Sequence, residues 1–204
     1  MIPREEFLEK TVGYFSDESM AFVQTPQVYY NQDMYQYNLK KEIPNEQDFF
    51  MRDIQEARAS RNAVLHVGTN AVFRKKYVEE IGGYPTCSIT EDMAVGMLLQ
   101  EKGYSSTLVN EELVLGLSAT TFTELVKQRD RWCRGNIQVL KHFNPLFSKG
   151  LTFGQKVAYF DGAIYWFSNL QKMIYVCCPI IYLLTSTLII DTGVVQLLTV
   201  YIPF

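Results

Sequence analysis

A chain of 204 residues is long enough for one domain with a sizeable core, and its formal net charge of −3 gives no broad electrostatic basis for binding nucleic acid. Its four cysteines, Cys87, Cys133, Cys177 and Cys178, contain no C-x-x-C pair. That scatter argues against a zinc site or a disulfide framework and fits a reducing compartment.

Met1-Ile2-Pro3-Arg4-Glu5-Glu6 lacks the basic start and apolar stretch of a secretory signal. Residues 7–15 read as a short helix and 20–23 as a strand leading into Gln24-Thr25-Pro26-Gln27, where Pro26 favours an extended or turn geometry for Thr25. An aromatic segment continues to Asn31, and residues 35–38 stay polar and aromatic. Helical spacing returns over 45–59, with Phe49, Ile54 and Ala57 as apolar positions. Residues 63–67 read as a strand ending at Gly68-Thr69-Asn70. The plain structural reading of that turn makes Asn70 the N-cap of a helix over 71–81, stopped by Gly82-Gly83.

Ser88-x-x-Glu91 has the form of a capping box opening a helix over about 90–102, with Ala94, Met97 and Leu98 apolar and Gly103 as its C′ residue. Residues 106–109 suggest a further strand, and 113–117 are a second apolar run ending in Ser118. Thr121-x-x-Glu124 is a second capping box, for a helix reaching about Lys141. Residues 157–171 are amphipathic and aromatic, which suits a membrane interface as well as a buried helix. Residues 173–190 carry no charge, at the lower edge of a bilayer span, with a buried core helix as the alternative. Asp191 interrupts, and 194–204 form a second apolar run. Lys141, Lys149, Lys156 and Lys172 precede the apolar run, so the positive-inside rule puts residues 1–172 in the cytoplasm.

Three groups of residues could carry chemistry. Gln128, Arg131 and Trp132 stand at i, i+3 and i+4, so one helix face offers an amide, a guanidinium fork and an indole. The fork can hold phosphate oxygens and the indole can pack on a sugar ring; a sugar diphosphate would use all three, whereas a solvated face with a core Trp needs none of them. Thr90-Glu91-Asp92 opens a helix, where acids are common because the macrodipole favours them. The functional reading is a general base, held ionised by the capped helix start, that takes the proton of an attacking sugar hydroxyl. A diphosphate leaving group needs no second carboxylate as proton donor, unlike the glycosidase case. Gly68 and Thr69, after the 63–67 segment, allow close backbone approach to a ligand or form an ordinary turn. His66 reads as structural, and neither it nor His142 has partners at metal-ligand spacing.

In order, Phe22-Val23-Gln24-Thr25-Pro26-Gln27, Val67-Gly68-Thr69-Asn70, Gly82-Gly83-Tyr84-Pro85, Ile89-Thr90-Glu91-Asp92, Gly116-Leu117-Ser118, Gln128-Arg129-Asp130-Arg131-Trp132-Cys133-Arg134-Gly135 and Asn144-Pro145-Leu146 closely resemble processive family 2 glycosyltransferases of the bacterial cellulose synthase type, over essentially the whole chain. The resemblance implies an α/β fold: the C-terminal half of a GT-A-type domain over 1–142, an amphipathic interfacial segment over 143–172, and transmembrane segments over 173–204. It implies that Asp92, in Thr90-Glu91-Asp92, is the catalytic base, that Gln128 and Arg131 contact the donor diphosphate, that Trp132 stacks on the terminal acceptor sugar, and that Gly68 and Thr69 line the acceptor end.

The implied activity is inverting transfer of a sugar, glucose first among the candidates, from a UDP-sugar to a growing β-linked polysaccharide at the cytoplasmic membrane. Membrane lipid and accessory synthase subunits would be further partners, and nucleic acid would not. The family holds Mg²⁺ through a D-x-D motif, which this sequence lacks. The motif is expected just upstream of Met1, and the chain alone is expected to be inactive. Two alternatives stay open: a non-catalytic membrane-anchored scaffold of the same fold, and a non-processive transferase acting on a lipid acceptor.

Overall fold

A computed structural model describes residues 1–40, 42–187, 193, 196 and 199, which divide into a unit over Met1–Ala163 and another over Ile164–Phe204. The first unit is mixed α/β. Among the described residues its strands form two three-stranded sheets. In one, β1 (Ile2–Pro3) pairs antiparallel with β6 (Val114–Gly116), which pairs parallel with β3 (Val28–Tyr29). In the other, β2 (Met20–Gln24) is central, antiparallel to β4 (Ala71–Phe73) and parallel to β5 (Ser105–Leu108). All five residues of β2 are buried, as a central strand covered on both faces requires.

Around the sheets lie α1 (Phe7–Val12), α2 (Met34–Leu39), α3 (Gln55–Ala59), α4 (Lys75–Glu80), α5 (Glu91–Glu101) and α6 (Phe122–Phe143), with α7 (Phe153–Thr185) beginning in this unit. Helix α5 is the pivot, with Met93 to Met97, Leu99 and Gln100 all buried. It contributes Val95 and Leu99 to a cluster with Phe22 and Val64, and Met93, Ala94 and Met97 to another with Leu65, Val139, Leu151 and Tyr159. The expected face of Ala94, Met97 and Leu98 therefore understates a helix packed almost all round.

Four expectations need correction. Residues 63–66 are buried and Val67 is half-buried, but none of them joins a strand ladder. Glutamine side chains satisfy their backbone instead: Gln55 accepts from Leu65 N–H and donates to its carbonyl, Gln100 donates to Val64 O, and Gln27 donates to Val67 O. Residues 71–73 form strand β4 rather than the start of a helix, because they pair with Phe22 to Gln24. Asn70 is not an N-cap: it sits at φ +57° and its Nδ2 donates to Pro26 O. Ser88 does not cap α5, whose N-cap Thr90 makes no side-chain cap bond.

Other local signals match. Gly82 and Gly83, both at φ +84°, close α4, with Gly83 N–H bonded to Val78 O and Gly82 N–H to Glu79 O. Gly103, at φ +88°, and Tyr104 close α5 in the same way. Both halves of the Thr121–Glu124 capping box form, an arrangement worth about 1 kcal/mol. The polar and aromatic residues 35–38 belong to α2, which Asp33 and Gln36 cap.

In the second unit, the described part of α7 exposes Ile164, Phe167, Leu170, Ile174, Val176 and Leu184. The whole helix is 33 residues, long and apolar enough to cross a membrane, and passes the 172/173 boundary without a break. The interruption at Asp191 and the second apolar run lie outside the described residues, except for isolated positions.

Candidate active site

Asp92 stands in the first turn of α5, half-buried beside the more exposed Glu91. Burial pushes its carboxyl above the ordinary aspartate value, a bond from Met93 N–H opposes this, the charge of Glu91 adds to it, and Arg131 opposes it. The expected cap on this helix start is not made, and desolvation, the largest influence, makes the carboxylate a stronger proton acceptor. Thr90 faces the other way, buried against Gly135 of α6.

Gly68 lies directly against this carboxylate. Asp92 Oδ2 is 2.7 Å from the point where a Cβ on residue 68 would stand, and Gly68 is at φ +80°, so a side chain there would push the carboxylate aside and strain the backbone. Thr69 turns away, its hydroxyl donating to Asn70 Oδ1. Behind the turn, Gln24 Nε2 donates to the carbonyls of Thr25, Thr69 and Asn70. That fixes the amide, so Gln24 Oε1 accepts from Val67 N–H and from His66 Nδ1 at 3.0 Å. His66 is therefore the Nδ1–H tautomer, with Nε2 facing the Tyr84 hydroxyl at 3.5 Å. Burial lowers its imidazole to about 4, and it packs edge-on against Phe73. Burial first, then the charges of Asp92 and Glu91, push the Tyr84 phenol up, which marks Tyr84 as a neighbour of the carboxylates.

Helix α6 brings the remaining residues. Gln128, Arg131, Trp132, Gly135 and Val139 follow one stripe; Gly135 and Val139 are buried, Trp132 is half-buried and Arg131 is exposed. Arg131 and Asp92 feel one another's charge, which joins the two motifs. Gln128 Oε1 is buried and has no hydrogen-bond partner among the described residues. Arg129, which the sequence reading passed over, has its guanidinium 4.8 Å from the centroid of the Trp132 ring and is ion-paired with Glu46. Arg129 was legible as part of the motif; nothing in the sequence marked Glu46.

The Thr90 turn is fastened to α6. Ser88 Oγ donates to Gly135 O at 3.0 Å and accepts from Thr90 N–H, and Ile89 N–H donates to Gln138 Oε1 at 3.0 Å. Among the described residues, no three His, Cys, Asp or Glu side chains converge as metal ligands. Glu91 and Asp92 alone do not fit a divalent-cation centre.

A family model described as "Glycosyl transferase family group 2" matches residues 2–201. The cellulose synthase catalytic subunit [UDP-forming] of Pseudomonas fluorescens (strain SBW25) is 29% identical over 99% of this chain and 28% of its own length. The cellulose synthase 1 catalytic subunit [UDP-forming] of Komagataeibacter xylinus is 33% identical over 93% of this chain and 26% of its own. The chain thus spans about a quarter of the length of these relatives. A mannosyltransferase from Pyrobaculum calidifontis, solved in complex with GDP-Man and Mn2+, shares the fold at TM-score 0.54 and 16% identity, over 80% of this chain and 41% of that one. The mixed α/β fold is of the GT-A-like kind expected, and the chain belongs to the family 2 glycosyltransferases, related to cellulose synthase catalytic subunits.

Proposed function

We propose that this chain provides the base and the acceptor side of an inverting glycosyltransferase that moves a sugar, glucose first among the candidates, from a UDP-sugar to a growing β-linked polysaccharide. The observation that carries the reading is the position of Asp92: half-buried, against the bare backbone of Gly68, and within the field of Arg131 from another helix. In this reaction an acceptor hydroxyl oxygen attacks the anomeric carbon. The bond from that carbon to the diphosphate oxygen breaks, the electron pair leaves with UDP, and the hydroxyl proton passes to Asp92. Inversion follows from attack opposite the leaving group.

Gln128 and Arg131 hold diphosphate oxygens, Trp132 stacks on the acceptor sugar, and Gly68 lets that sugar approach the base. Tyr84 borders the same carboxylates. A divalent metal, which no cluster of side chains among the described residues would hold, would supply charge neutralisation at the leaving diphosphate. Exposed apolar side chains along α7 support membrane attachment, with residues 1–142 as the catalytic part, 143–172 at the interface, 173–204 in the bilayer, and the catalytic part on the cytoplasmic side.

The test is turnover. Membrane vesicles holding the full-length protein that contains this chain are offered UDP-glucose and other UDP-sugars, and released UDP and polymer are measured. Release of UDP with formation of a β-linked polymer is expected. No turnover of any UDP-sugar would contradict the reading and shift the weight to a non-catalytic anchor.

A further inference from the structure

Three features lie together where the start of α5 meets α6. Gly135 occupies a helix position where a Cβ would stand 2.8 Å from Thr90 Cβ and 2.5 Å from Thr90 Oγ1, so only glycine admits the turn at this depth. Ser88 Oγ, buried, bonds the Gly135 carbonyl, although that residue sits inside a continuous helix. Ile89 N–H is tied to the Gln138 side chain. The local pattern would have used Ser88 to cap α5; in the structure that hydroxyl bonds the other helix instead. Apolar packing of Met93 against Val139 already holds the two helices together, so these directional bonds fix register rather than adhesion.

We propose that Ser88, Gly135 and Gln138 are positioning residues, a latch that sets how far the Asp92 carboxylate stands from the Gln128, Arg131 and Trp132 face of α6. The proposal rests on the functional reading above. Thr90 is two residues before Asp92, and Gly135 lies four residues, about 6 Å of helical rise, beyond Arg131. A slip at the latch therefore passes to both halves of the site. The latch residues reach neither the donor nor the acceptor, so loosening them leaves ground-state donor binding in place. What suffers is alignment of the acceptor hydroxyl between base and donor, where a misplacement of about 1 Å can cost on the order of 100-fold in rate.

The experiment uses the full-length protein and the variants Gly135→Ala, Gln138→Leu and Gln138→Glu, the last keeping an oxygen that accepts from Ile89 N–H. Initial rates against UDP-glucose concentration give kcat and KM. In parallel, ¹⁹F NMR of protein labelled with 5-fluorotryptophan, with the Trp132 signal assigned by its loss in Trp132→Phe, reports the position of α6 without any turnover. Expected are a kcat loss of roughly 10- to 100-fold in Gly135→Ala and a smaller one in Gln138→Leu, KM within about threefold, a shifted Trp132 signal in both, and near-recovery in Gln138→Glu.

An unmoved Trp132 signal in Gly135→Ala and Gln138→Leu would overturn the latch whether or not the protein turns over sugar. So would a rise in KM with kcat unchanged. A shifted signal in a protein with no wild-type turnover would sustain the mechanical coupling and sink the functional reading alone. If Gly135→Ala does not fold, the Gln138 pair decides, because Gln138 is only half-buried.

Discussion

The Asp92 carboxylate occupies the space that a side chain on Gly68 would need, with Oδ2 2.7 Å from the absent Cβ. Gly68 also sits at φ +80°, where an L-residue costs roughly 1–2 kcal/mol. Gly68→Ala is therefore expected to displace Asp92 and to lower both thermal stability and transfer. Thermal unfolding and UDP release check it; wild-type values for both would mean the turn has room that the geometry denies.

Asp92 gives a pH dependence with a definite sign. Its folded value is raised above 3.8, mainly by burial. Between its unfolded and folded values the folded state holds more protons, so its contribution to stability is present at low pH and lost as pH rises through the folded value. Asp92→Asn, which keeps an oxygen for Met93 N–H, should unfold at a higher temperature than the wild type at about pH 7 and at a similar one near pH 3. The acid limb of the transfer rate should lie above the ordinary aspartate value. Equal unfolding temperatures at both pH values would remove the desolvation argument.

The local signals that could be read from sequence were those satisfied within a few residues. The Thr121–Glu124 box and the Gly82-Gly83 and Gly103 stops formed because each closes on its own helix. Residues 63–67 misled because a mostly apolar run with Val64 and Val67 does not say whether strands or glutamine side chains will answer its backbone. Ser88 misled for a related reason: its best partner was Gly135, distant in sequence, rather than the adjacent helix. The motif face of α6 was legible from its spacing, while the docking role of Gly135 and the Glu46 partner of Arg129 depend on tertiary contacts with no local trace.

Glu46 holds Arg129, and Arg129 covers one face of Trp132. Glu46→Gln should free the guanidinium and weaken an interaction worth about 0.5–2 kcal/mol. Trp132 should then become more accessible to a collisional quencher, and the apparent affinity for the acceptor should fall more than that for the donor. Quenching by acrylamide in a background where other tryptophans are replaced measures the first; unchanged quenching would place Trp132 under other control.

His66 should stay neutral across pH 5–8, because burial lowers it from 6.5 to about 4. Stability that depends on its neutral form is complete above the unfolded value and declines as pH falls toward the folded one. Imidazole ¹⁵N shifts should show the Nδ1–H tautomer bound to Gln24 with no titration above about pH 5. A midpoint near the unperturbed value would contradict both the burial and the tautomer.

The central claim is that Asp92 is the base of a glycosyl transfer, and one comparison tests it most directly. UDP release and UDP binding are measured side by side for the full-length wild type and Asp92→Asn in the same membranes. The account predicts that transfer falls by at least about 100-fold, at the lower end of what a general base supplies, while the dissociation constant for UDP stays within about threefold. Near-normal polymer synthesis by Asp92→Asn would contradict it.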